Sequence, residues 1–176
     1  MGIHAVKVLD ADNSYSSASI ILAGLDYIIN ELPSVNIVNM SLGTRDLFPS
    51  DCDTDYAYTA AFSSAINTLR NRGTLSFVAS MNNASENAIA APACIANAIA
   101  VGAVWDANPS SYFGSCTDVS PTADEMTCFS NTSVSLDMLA PGSPIRSLRN
   151  GGGTITYSGT SMATPMVAAC AALMLE

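Results

Sequence analysis

The sequence predicts a three-layer α/β/α fold built on a mostly parallel sheet. Three observations carry this. Apolar runs of strand length alternate with segments of helical spacing along the chain. Polar residues gather just past the ends of two of those runs, where open parallel sheets hold their ligands. Hydrophobic residues make up 49% and charged residues 12%, a balance closer to the buried half of a soluble domain than to a whole one.

Ala5–Leu9 reads as a short strand. Ser16–Asn30 carries Ile20, Ile21, Leu25, Ile28 and Ile29 at helical spacing, and Pro33 stops that helix. Val35–Met40 is a second strand and runs into Ser41-Leu42-Gly43. A polar loop with Pro49 and Cys52 follows, then a helix over Tyr56–Arg72, closed by Gly73. Thr74–Ala79 is a third strand, ending in Ser80-Met81-Asn82-Asn83, and Ala98–Val104 a fourth. Leu136–Ala140 leads into Pro141-Gly142. Gly151–Gly153 is a turn, Thr154–Tyr157 a short strand, and an apolar helix begins at Ser161. This βαβαβ order puts helices on both faces of a parallel sheet. Without repeats or long linkers, residues 1–176 read as one domain, with 116–128 as a surface excursion.

Net charge is −9, with six Lys and Arg against fifteen Asp and Glu. Nucleic acid and anionic membrane surfaces are therefore poor partners. No apolar stretch is long enough and free enough of polar residues to span a membrane, and the first residues carry no signal-peptide pattern. There are five cysteines. Cys116 and Cys128 bracket a polar, proline-containing stretch and are expected to form a disulfide; Cys52 and Cys94 are the next natural pair. Cys170 lies inside the last apolar helix and reads as a small core residue. Two disulfides imply an oxidising, extracellular compartment.

With a single histidine and no Cys-x-x-Cys, a zinc site is not expected. Asp51-x-Asp53-x-Asp55 imitates the start of a calcium loop, but Tyr56 and Phe62 stand where that loop needs glycine and glutamate. No cofactor is expected, and a structural calcium stays open without a motif behind it. Gly151–Gly153 lacks the spacing of a dinucleotide loop. Asn39, Asn83 and Asn131 each begin a glycosylation triplet, and Asn39 is expected to end a buried strand.

The run Gly159-Thr160-Ser161-Met162-Ala163-Thr164-Pro165 carries the most chemistry. A small-residue turn sets a serine at the mouth of a helix. Unpaired N–H groups and the positive dipole end there favour the oxyanion formed when a serine attacks an amide carbonyl. Gly159 lets a substrate backbone approach closely. Pro165 is expected within the first turn, where a proline is tolerated. Asn82, past a strand end, can donate its side-chain amide to the same oxyanion, or it is an ordinary turn asparagine.

Taken in order, several segments resemble the subtilisin-like serine proteases, the subtilases. They are 3–12, Asn39–Gly43, Val78–Asn82, Ala91–Cys94, Ile99–Val104, Leu136–Gly142 and the Ser161 run. The resemblance covers essentially the whole chain outside 116–128. It implies a secreted endopeptidase acting on polypeptides, with Ser161 as nucleophile and with Asn82 and the Ser161 N–H as oxyanion donors. Ser41, Leu42, Gly43, Gly159 and Thr160 would bind substrate, Ser41–Gly43 walling the primary specificity pocket. Met81 stands where the family usually has glycine, which is expected to narrow that pocket.

The resemblance also implies that the catalytic Asp and His precede the segment opening this chain. His4, the single histidine, lies in a strand entry, and Asp10 and Asp12 match no triad motif. The chain is therefore expected to be the later part of such a protease, truncated at the amino end and inactive or nearly so alone. The family's strand carrying the Asp would lie between Ala5–Leu9 and Val35–Met40. Its loss leaves two unpaired edges, which the chain is expected to close up, to pair with another copy, or to fill from a longer protein. The alternative is a non-catalytic scaffold that binds peptides or assembles.

Overall fold

The computed structural model describes residues 2–12, 14–109, 111–114 and 116–175. Its main sheet has four strands: β1 (Ile37–Met40), β3 (Leu75–Ala79), β5 (Ile99–Trp105) and β8 (Met138–Ser143), parallel and in the order β1-β3-β5-β8. Helices α1 (Ala18–Glu31) and α2 (Ala57–Asn71) cover one face and α3 (Thr160–Leu173) the other. Among the described residues, three two-stranded sheets lie outside it: β2 (Leu47–Phe48) with β4 (Ile89–Ala90), β6 (Ser111–Phe113) with β7 (Thr117–Val119), and β9 (Ile145–Leu148) with β10 (Thr154–Tyr157).

Helices α1 and α2 have local boundary signals. Ser17 caps α1, its hydroxyl accepting from the Ser19 N–H at 3.3 Å. Pro33 pushes Leu32 out of the helical region, to φ −124° and ψ 58°. Past α2, Gly73 takes φ +87° and turns the chain towards β3.

The pleat of the strands decides what each face buries. Phe77, Val101, Ala103 and Ala140 point at α3, meeting Ala163, Val167, Ala168 and Ala171. Val78 and Ala100 point the other way, into a core with Ile21 and Leu25 of α1 and Phe62, Ile66 and Leu69 of α2. Phe62, Ile66 and Leu69 are fully buried, and each such side chain contributes about 1.5–3 kcal/mol relative to exposure.

Cys52–Cys94 and Cys116–Cys128 are disulfides. On the chain-entropy account the first, closing the longer loop, contributes ~4 kcal/mol and the second ~3 kcal/mol. The 116–128 excursion is tied down through Asp118. One of its carboxylate oxygens accepts from the Trp105 indole N–H at 3.0 Å and the Cys128 N–H at 2.8 Å.

Several expectations are corrected. Ala5–Leu9 forms no strand: it pairs with none of the described strands, and a groove lies between it and β1. Of the three outcomes expected for the gap beside β1, closing up is not the one seen: a groove of about 970 Å³ remains, lined by Val6 and Val8 on one side and by Val38, Met40, Leu25 and Ala168 on others. Cys170 is exposed rather than in the core. Helix α3 is apolar on all sides, but the sheet covers only one, leaving Met166, Cys170 and Leu173 outside. Asn39 is exposed, since the pleat sends Val38 and Met40 into the core on the α1–α2 face and Asn39 to the opposite face. Asn131 is fully buried, so its glycosylation triplet is closed to a glycan.

Candidate functional site

The carboxyl ends of β1 and β3 lie side by side and continue as Ser41–Gly43 and Ser80–Asn83. The start of α3 meets both. Gly159 caps it at φ +155° and ψ 160°, a conformation essentially reserved for glycine. A Cβ there would stand 3.4 Å from the Asn82 amide nitrogen, an ordinary van der Waals contact, so the backbone angle and not the space calls for glycine. Asn82 Oδ1 accepts the Thr160 N–H at 2.9 Å. That bond fixes which way the amide faces and leaves its N–H groups to donate elsewhere.

Ser161 is the second residue of α3, so its N–H has no carbonyl of the helix four residues back. Its hydroxyl donates to the Ser41 carbonyl at 3.2 Å, and the Ser41 hydroxyl donates to the Ser161 carbonyl at 2.9 Å. The second bond has a cause further along the helix. Pro165 is the sixth helical residue, not a first-turn residue as the sequence implied. It has no N–H to give to the carbonyl four residues back, which is that of Ser161. Ser41 supplies the missing donor, so the proline ties the serine turn to the end of β1. Asn39 in turn donates to Ser41 Oγ at 3.1 Å.

Leu42 is half-buried against the α1 side of the core. The Gly43 carbonyl accepts the Tyr15 hydroxyl at 2.7 Å. Burial pushes the Tyr15 phenol above its usual 10.0, with Arg45 opposing the shift and Asp46 adding to it. Met81 has φ +78°, a left-handed conformation costly for a residue with a side chain.

Sequence reasoning missed the residue that holds this loop. Asn131 is fully buried and spends its whole side chain on residues 80–85. Its Oδ1 accepts from the N–H groups of Asn83 at 2.8 Å and Ser85 at 3.2 Å. Its Nδ2 donates to the Ser80 carbonyl and to Asn83 Oδ1, both at 3.0 Å. Its backbone N–H donates to the Met81 carbonyl at 2.9 Å. The only sequence signal at Asn131 was the triplet, which pointed to the surface.

The arrangement brings Ser161, Thr160, Gly159, Asn82 and Ser41 together, with Leu42 and Gly43 continuing the β1 end. It offers a hydroxyl, a free helix-start N–H and an oriented amide, the parts that stabilise an oxyanion. It offers no proton acceptor to Ser161 beyond the Ser41 carbonyl among the described residues. His4 is exposed on the groove. One Asp10 oxygen caps its own turn, accepting the Asp12 and Ser14 N–H groups at 2.9 Å. At the Asp51–Asp55 loop, Asp53 accepts from the Ser63 hydroxyl at 2.5 Å and the Ala96 N–H at 3.0 Å, and Asp51 from the Ser135 hydroxyl at 2.6 Å.

A sequence model of the subtilase family matches residues 1–176. Proteinase T of Parengyodontium album is 35% identical over 98% of this chain and 51% of its own length. Subtilisin Savinase of Lederbergia lenta is 36% identical over 99% of this chain and 53% of its own. Among solved structures, a cold-adapted subtilisin-like serine proteinase superposes with a TM-score of 0.69 at 31% identity, over 96% of this chain and 51% of that one. The chain thus spans about half the length of these relatives.

Proposed function

This chain belongs to the subtilase family, and from that premise we propose that it supplies the nucleophilic half of a secreted serine endopeptidase. Ser161 attacks the substrate carbonyl. The Ser161 N–H and the Asn82 amide receive the negative charge that develops on the carbonyl oxygen. Ser41–Gly43, Gly159 and Thr160 hold the substrate backbone. The observation that carries this reading is the Thr160–Asn82 bond beside the Ser41–Ser161 pair. It orients an amide donor next to a serine hydroxyl at the end of a parallel sheet.

The general base comes from polypeptide outside these residues, and the 176 residues alone are inactive or nearly so. That added polypeptide occupies the open groove beside β1, an edge strand whose outward backbone groups lack partners in the main sheet. Secretion is supported by the two disulfides and by relatives such as the extracellular serine proteinase of a Thermus strain. No described helix is long and apolar enough to cross a membrane. One observation favours a second reading, a peptide-binding scaffold without catalysis: the Ser161 hydroxyl donates to a carbonyl, which cannot take its proton.

A fluorophosphonate probe with peptide mapping separates the two. The first reading expects slow or no labelling of the chain alone, fast labelling of Ser161 in a longer polypeptide containing it, and none after Ser161→Ala. Absence of Ser161 labelling in the longer polypeptide favours the scaffold. Rapid labelling of the chain alone refutes the external base.

A further inference from the structure

The extensions of β1 and β3 flank the space beside Ser161, and one side chain crosses from one to the other. Met81 leaves the β3 extension and reaches Gly43 on the β1 extension. A Cβ on Gly43 would stand 2.7 Å from Met81 Cγ and 3.0 Å from its Sδ, closer than carbon and sulfur atoms approach without a bond. Gly43 therefore has no side chain because Met81 already fills that place, with Ala90 Cβ closing in at 3.3 Å.

The backbone holds Met81 in this position. A φ of +78° costs a methionine about 1–3 kcal/mol and persists only where the surroundings over-determine it. Here the Met81 carbonyl accepts the Asn131 N–H at 2.9 Å, and the next residue, Asn82, is fixed by the Thr160 N–H at 2.9 Å. Met81 and the residue after it are thus pinned by partners from distant parts of the chain. Asn131 is itself fully buried with its amide engaged on both sides.

We propose that Met81 plugs the slot between the two extensions and makes the site selective for a peptide with glycine or alanine at the residue whose carbonyl faces Ser161. The proposal rests on the peptide-binding reading of the Ser41–Gly43 and Ser161 segments. A large aromatic or branched side chain at that position meets the thioether before the peptide backbone can settle along Ser41–Gly43. Methionine is flexible, so the restriction is graded by size rather than absolute.

The test uses product-like peptides, which need no base to bind. Fluorescent peptides alike but for a carboxy-terminal Ala or Phe are titrated into the wild-type chain, Met81→Gly and Met81→Leu. Wild type is expected to bind the Ala peptide at least about tenfold more tightly than the Phe peptide, the scale of excluding one large apolar side chain. Met81→Gly opens the slot and is expected to reverse or abolish that ratio. Met81→Leu keeps the bulk and is expected to retain it. The readout is a ratio within each protein, so a loss of stability common to both peptides does not mimic the effect. A wild-type ratio near one, or a ratio that Met81→Gly leaves unchanged, overturns the plug while leaving peptide binding intact. No binding of either peptide by any of the three proteins overturns the plug together with the reading beneath it.

Discussion

Replacing Asn131 with alanine isolates the clamp on the loop that carries Met81 and Asn82. The substitution removes an acceptor from the Asn83 and Ser85 N–H groups and a donor from the Ser80 carbonyl and Asn83 Oδ1. A buried or half-buried N–H left unpaired costs about 1–3 kcal/mol. The two N–H groups lie in a partly exposed loop, where water relieves part of that cost. The Ser80 carbonyl loses less, because it still faces the Ala90 N–H at 3.4 Å. The sum is ~3 kcal/mol of lost stability. Urea unfolding reads it as a lower midpoint with an unchanged slope. Hydrogen exchange should localise it, with protection falling over residues 80–85 more than in β5. Asn131→Asp keeps the two N–H acceptors but sets a carboxylate oxygen against the Ser80 carbonyl and Asn83 Oδ1, so it is expected to be destabilised as well. A loss below ~1 kcal/mol for Asn131→Ala, with exchange over 80–85 unaltered, would refute the clamp.

Ser41→Ala should cost ~1 kcal/mol by leaving the Ser161 carbonyl without a donor. Adding Pro165→Ala returns a backbone N–H to that carbonyl, so thermal melts of the double variant should recover most of the loss, and failure to recover contradicts the link between the two. Tyr58 gives a pH dependence. Burial and then its hydrogen bond to Asp46, at 2.7 Å, raise its phenol from 10.0 to about 12. The folded state holds that proton more tightly than the unfolded chain. The contribution is therefore complete below pH 10 and is lost as pH rises towards 12. Tyr58→Phe, which keeps the ring stacked on Tyr56 and edge-on to Phe62, should show a shallower fall in stability across that window.

Much of the fold was legible because it is written locally. The α1 and α2 segments carry helical spacing with caps and stops beside them, and the β1, β3 and β5 segments are short apolar runs. The same local signal misled at Ala5–Leu9, since a strand needs a partner and partners are set by the whole chain. It misled again in α3. A helix built of alanine, methionine and valine has no polar stripe to show which side faces out, and Cys170 fell on the open one. Strand β9 was missed because Ile145–Leu148 carries too little apolar pattern to stand out, and its pairing with β10 places Thr154–Tyr157 outside the main sheet.

At the candidate site, the Ser161 run and Asn82 stood out as residues, and the structure brings them together. What holds them did not. Nothing local ties Asn131 to Ser80, or Pro165 to a hydroxyl just past β1, because each bond repairs a backbone group exposed only by the tertiary arrangement. The left-handed Met81 is legible only against the geometry of its neighbours.

The central claim is that Ser161 is the nucleophile and takes its base from outside these residues. The most direct measurement is the mass and position of the acyl group trapped when a longer polypeptide containing this chain is mixed with an activated peptide ester and quenched. One acyl group per chain is expected, on Ser161, and none when the 176-residue chain is treated alike. Cleavage of peptides by the longer polypeptide with the acyl group on another residue would contradict it, as would rapid acylation of Ser161 in the chain by itself.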